Sequence, residues 1–149
     1  MAISTYAELK TSIANFLNRD DLTAVIPDFI SLAESSISNE LRHWRMETRA
    51  ETTIDSQFTG IPSDWVSTIR FHLVTAGTSS LNFMSLATMQ NSRAARDDST
   101  GTPTNYSLNS SQFEVFPSPD GAYSAILMYY AKIPSLTNSA TTNWLLTHH

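Results

Sequence analysis

From Thr5 to Trp44 the apolar residues recur every three or four positions, and from Met46 onward they recur every second position. That change of period predicts helices first and strands after, because side chains return to one face about every 3.6 residues on a helix and every second residue on a strand. Thr5 and Glu8 have the capping-box spacing, in which hydroxyl and carboxylate satisfy each other's orphan backbone amides. A first helix is therefore expected from Thr5 to about Asn18, with Tyr6, Leu9, Ile13, Phe16 and Leu17 as its apolar stripe. A second is expected from near Thr23 to Trp44, with Pro27 in its first turn, where a missing amide costs little. Its stripe reads Ile26, Phe29, Ile30, Ala33, Ile37, Leu41 and Trp44, and Arg42, His43 and Arg45 fall where cations complement the negative end of the helix dipole.

In the first strand, Met46, Thr48, Ala50, Thr52 and Ile54 face one way and Glu47, Arg49, Glu51 and Thr53 the other. Gly60 to Trp65 reads as a corner, with Ser63 or Asp64 capping a single helical turn and Trp65 folding back onto the core. Val66 to Val74 is a second strand, Gly77 to Ser80 its turn, and Leu81 to Met84 a short third strand. Ser85 opens a third helix reaching about Arg96, with Leu86 and Met89 on the buried side, Arg93 and Arg96 at the cationic end, and Asp97 and Asp98 in the polar loop beyond. From Gly101 to Pro134 three strands are separated by Asn109-Ser110-Ser111 and by Ser118 to Gly121, a pattern that predicts a β-meander. In the second turn proline presets φ and Gly121 is expected to take the positive φ that closes the hairpin. Ala122 to Lys132 is too continuously apolar for an edge and is read as the strand buried in the middle of the sheet.

The fold class expected is α+β: an N-terminal helical hairpin, an antiparallel β-rich domain with an inserted short helix, and a C-terminal helix beginning near Asn143. One domain is expected over 1–149, divided into a helical part (1–45), a β-rich part (46–139) and the start of a C-terminal helical segment (140–149) that reads as cut short after Leu146.

A net charge of −5, with nine Lys plus Arg against fourteen Asp plus Glu, argues against a free-standing nucleic-acid binder. Charged residues make up only 15% of the chain, and abundant Ser, Thr and Asn suit faces that neighbours cover. The absence of cysteine excludes disulfides, thiolate metal sites and a cysteine nucleophile. No basic-then-apolar leader and no membrane-length apolar run is found, so a cytosol-like setting is expected, or assembly from one. His43, His72, His148 and His149 lack ligand-like spacing; His72 reads as a hydrogen-bonded structural residue and His148-His149 as the trace of a tag. Glu114 and Asp120 fail as a catalytic carboxylate pair, because the alternation points Glu114 outward and Asp120 belongs to a turn. No enzyme, metal or cofactor is expected. Arg42, Arg45 and Arg49 beside Trp44 form a candidate phosphate patch, but Glu47 and Glu51 interrupt it, and capping is the preferred reading. Tyr123, Tyr129 and Tyr130 would make a carbohydrate or surface-binding β-module if they shared a solvent face; core and subunit-interface positions are preferred for them.

Taken in order, Gly101-Thr-Pro-Thr-Asn-Tyr106, Phe113-Glu-Val-Phe-Pro117-Ser-Pro-Asp-Gly121, Tyr123 to Tyr130 and Ile133-Pro134 resemble tailed-bacteriophage head-to-tail adaptor (connector) proteins of the podovirus type. The resemblance extends back through Tyr6-Ala-Glu-Leu-Lys10, Leu41-Arg-His-Trp-Arg-Met46, Thr48 to Thr53 and Ile61-Pro-Ser-Asp-Trp65, so it spans essentially the whole chain. It implies a non-enzymatic virion subunit of the tail or neck region, assembled in the host cytoplasm into a ring, commonly dodecameric, below the portal protein. The ring would extend the DNA channel without gripping DNA and would dock tail nozzle or tail fibre proteins. Carried onto this sequence, the portal-contact candidates are Trp144, Leu145 and Leu146, and the subunit or tail interface candidates are Asp97, Asp98, Tyr129 and Tyr130. Another phage tail, nozzle or head-completion component is the alternative within the same class.

Overall fold

A computed structural model describes residues 3–19, 21–74, 79–96 and 100–147. In chain order the elements are α1 (Tyr6–Leu17), α2 (Ile26–Glu40), a 3-10 turn (Trp44–Met46), β1 (Glu47–Ile54), β2 (Phe58–Gly60) and β3 (Trp65–Leu73). Then come β4 (Asn82–Phe83), α3 (Leu86–Ala95), β5 (Asn105–Asn109), β6 (Gln112–Phe116), β7 (Tyr123–Ala131) and α4 (Trp144–Thr147). The chain divides into two compact units, one from residues 1–43 with 132–149 and one from 44–131.

In the first unit the capping box forms as its spacing predicts. The Thr5 amide donates to the Glu8 carboxylate at 3.0 Å, and the Glu8 amide donates to Thr5 Oγ1 at 3.3 Å. α1 closes at Asn18 in the left-handed region, φ 49°, as a helix C-terminus commonly does. α2 carries Pro27 in its first turn but stops at Glu40, short of the predicted Trp44. The reason is local: Leu41 turns extended, and Arg42 Nη1 donates to the Asn39 and Leu41 carbonyls at 2.9 and 2.8 Å. Trp44 therefore leaves the helical stripe and is exposed. Ile26 and Ile30 are buried with Tyr6 and Leu136, whereas Phe29 and Ile37 stay exposed.

The second unit packs two sheets face to face. β7 lies between β1 and β3 in an antiparallel three-stranded sheet, so the apolar run is central, as its composition predicts. The other sheet is ordered β2-β6-β5-β4, and β4 pairs with β5 in parallel, which makes it mixed. The core joins Ile54, Phe71, Leu73, Leu127 and Tyr129 from one sheet to Tyr106, Phe113 and Val115 from the other. Trp65 packs onto it edge-to-face with Phe113, ring centroids 6.1 Å apart, and its indole N–H donates to Thr68 at 3.1 Å.

The predicted three-strand meander is corrected by this topology. β5 and β6 do form a hairpin, turning through Ser110 and Ser111 with Ser110 at φ 57°. The link from β6 to β7 instead crosses from one sheet to the other, so Gly121 closes no hairpin and lies outside the positive-φ region. Three side-chain expectations change as well. Leu86 is exposed, and Glu114 and Arg93 are buried rather than solvated. β6 is covered on both faces, by the opposite sheet on one side and by α3 on the other, which overrides the simple alternation. The predicted turn at Gly77 lies outside the described residues. His72 is buried, but its Nδ1 finds no hydrogen-bond partner among the described residues, and burial with the Arg70 and Arg49 charges lowers its pKa.

Candidate functional site

The buried stripe of α2 runs Ile26, Ile30, Glu34, Ser38, apolar for its first half and polar for its second. Four-residue spacing stacks these side chains along one line, so the polar half catches main-chain groups from the segment after β7. Ser38 Oγ accepts from the Ile133 amide at 3.3 Å, and Glu34 Oε1 accepts from the Leu136 amide at 3.0 Å and from Asn143 Nδ2 at 3.3 Å. Asn143 Nδ2 also donates to the Pro134 carbonyl at 2.8 Å, and its Oδ1 accepts from the Leu146 amide at 2.9 Å, starting α4. The Tyr6 amide donates to the Thr141 carbonyl at 2.7 Å, which ties the same strap to the start of α1.

Held in this way, the strap completes an apolar groove of about 490 Å³. Leu9 and Ile13 of α1, Phe29, Ala33 and Ile37 of α2, and Leu136, Leu145 and Leu146 of the strap supply its walls. Glu34 is the single titratable group among them; burial raises its pKa, and the two hydrogen bonds it accepts offset that only in part. An apolar concavity is what an apolar side chain from another helix requires. Asn143→Ala removes the cap of α4 and one Glu34 contact together. It is expected to cost about 1–3 kcal/mol of unfolding free energy, read by urea denaturation, while Glu34→Gln, which keeps both acceptor contacts, is expected to cost less.

The other buried polar cluster lies in the second unit. Glu114 Oε1 accepts from Gln57 Nε2 and Arg93 Nε, each at 3.0 Å, and from Gln90 Nε2 at 3.2 Å; its Oε2 accepts from Asn109 Nδ2 at 3.0 Å. Arg93 donates onward to Ser118 Oγ at 2.8 Å and to the Val115 carbonyl. Burial alone would raise the Glu114 carboxyl, yet the hydrogen bonds from Gln57, Asn109 and Arg93 and the Arg93 charge hold it below the usual value. A carboxylate so fully engaged is a packing element rather than an acid or base.

The residues singled out from the sequence separate in the structure. Trp144 is half-buried and stacks on His43, 5.5 Å between centroids and 18° between planes. Leu145 and Leu146 line the groove beside it. Tyr129, a candidate interface residue, is a core residue: its hydroxyl donates to Asp64 at 2.9 Å, and burial first, then Asp64, pushes its pKa up to about 12. Tyr130 points to the opposite face, half-buried, and Tyr123 donates to Asp120, so the three tyrosines do not share a binding platform. Asp97 and Asp98 lie outside the described residues. Of the proposed phosphate patch, Arg42 caps α2, Arg45 stacks over Trp44 at 4.9 Å and Arg49 pairs with Glu51 at 2.8 Å. Sequence reasoning missed the Glu34–Asn143 latch, although Glu34 and Ser38 continue the four-residue spacing of Ile26 and Ile30.

Among the described residues no group of His, Cys, Asp and Glu is placed to hold a metal ion, and no helix is long and apolar enough to cross a membrane. A family model described as SU10 adaptor protein matches residues 4–149. No curated protein matches the chain.

Proposed function

The chain belongs to the SU10 adaptor protein family, and from that premise we propose that it is a head-to-tail adaptor of a podovirus-type phage. In this reading it is a non-enzymatic subunit that forms a ring below the portal, lengthens the DNA channel and docks the tail. The observation that carries it is the family match over residues 4–149. The apolar groove and its latched strap support the reading, because an apolar concavity suits the docking of another chain. The net charge of −5 supports it from another side, since a wall poor in cations lets DNA slide where many Lys and Arg contacts would hold it.

In this reading Trp144 begins the portal-directed segment, which the seating of Leu145 and Leu146 in the groove supports. Trp144→Ala is expected to weaken co-sedimentation with isolated portal rings about tenfold or more, as truncation of a buried aromatic anchor does, while leaving the far-ultraviolet circular dichroism unchanged. Unaltered binding would remove Trp144 from the contact. Another tail component as the preferred partner would move the subunit to a different level of the neck.

A further inference from the structure

We propose that the groove of one copy receives the exposed ridge of α2 from a second copy; this deepens the ring reading above and rests on it. α2 has three charged residues, Asp28, Glu34 and Glu40, and Glu34 is turned inward and buried. Between Asp28 and Glu40 its outer surface therefore carries no charge, although a helix facing water ordinarily does. Val25, just before the helix, with Phe29 and Leu32 falls at i, i+4 and i+7, a single row, and all three are exposed, Leu32 at 68%. α1 shows the same excess: Leu9 and Ile13 enter the groove, but Phe16, next on their stripe, is 89% exposed.

Groove and ridge are complementary in kind. An apolar groove between helices takes a helix offering anchors at i, i+4 and i+7, and this chain presents that ligand on its own α2. Phe29 belongs to both, as a wall of the groove and a member of the ridge, so the two surfaces share a border. A subunit that is groove to one neighbour and ridge to the next makes a heterologous contact, the kind that closes into rings when the rotation permits. The exposed apolar side chains amount to roughly 400 Å², taking about 150–250 Å² for each aromatic. Each partner of a stable pair contributes about 800 Å². The contact is accordingly weak between two free copies and is secured when several copies are gathered.

The cysteine-free chain makes disulfide trapping a clean test. Leu32→Cys protein is mixed with Ile13→Cys or Leu9→Cys protein under mild oxidation, with and without portal rings. The control pairs Leu32→Cys with Thr53→Cys on β1. The expected result is a linked dimer at least about fivefold above the control, since a disulfide requires Cα atoms within roughly 7 Å, and its loss when Val25→Glu is added to the Leu32→Cys copy. Yields equal to the control overturn the inference, as does trapping of residue 32 by the portal protein instead of a second copy. Native mass of the same mixtures separates the two readings: a closed ring without trapping overturns this contact alone, and no ring overturns the ring reading with it.

Discussion

Glu114→Ala is expected to destabilise the second unit by about 3–5 kcal/mol, because it removes one partner of a buried ion pair, the carboxylate that the Arg93 guanidinium bonds at 3.0 Å. The pair is among the least exposed in the chain, with the Glu114 side chain at 0% and Arg93 at 8%. Three amide donors, from Gln57, Gln90 and Asn109, would lose their acceptor in the same step. Replacing both partners, Glu114→Leu with Arg93→Met, is expected to recover most of the loss, since apolar packing of similar volume avoids the cost of burying either charge. Urea unfolding followed by tryptophan fluorescence measures both variants; a loss below about 1 kcal/mol for Glu114→Ala would show that the pair is not held as described.

The same pair sets the acid limit. Glu114 has its folded pKa depressed below the ordinary 4.5, so its contribution is complete above that value and is lost as pH falls through the folded pKa. Glu34 acts in the opposite sense. Burial raises its carboxyl above 4.5, so its ionisation opposes folding, and the first unit gains stability as pH falls through the raised value. Mild acid should therefore stabilise the first unit before stronger acid destabilises the second. In Glu34→Gln the first of these trends is expected to vanish and the second to remain.

Phe113→Ala should cost about 3–5 kcal/mol, the range for deleting a buried aromatic ring. Phe113 joins the two sheets: its ring centroid is 5.3 Å from Phe71, 5.7 Å from Tyr106 and 6.1 Å from Trp65. The side chain is fully buried, and residues from both sheets surround it, so the cavity left has walls that cannot all collapse inward. Phe113→Leu, which keeps much of the volume, is expected to cost less than half as much. Similar costs for the two variants would mean that the site relaxes freely.

Local chemistry made the element types legible. The Thr5–Glu8 cap, the period-two run of β1 and the apolar β7 each follow from spacing and propensity within a few residues. What failed required knowledge of the far side of an element. Glu114 alternates correctly with Phe113 and Val115, but alternation says nothing about α3 covering the second face of the sheet. The clue was in α3 itself: Arg93 lies four residues after Met89, on the same buried face, and a buried arginine requires an acid. The groove was half legible. Leu145 and Leu146 stood out as apolar residues at the start of a helix, yet the latch that positions them depends on Glu34 meeting Asn143 across more than a hundred residues of chain. The end of α2 was missed because Arg42 was read as complementing a dipole, whereas it donates to the carbonyls of a helix already finished.

We propose that this subunit builds a ring on a portal. Native mass spectrometry of the purified chain, alone and then mixed with portal rings from the same particle, tests it most directly. The expected result is a closed multiple of the 16.5 kDa chain bound to the portal. A chain that remains monomeric and separate from the portal at micromolar concentration would contradict it.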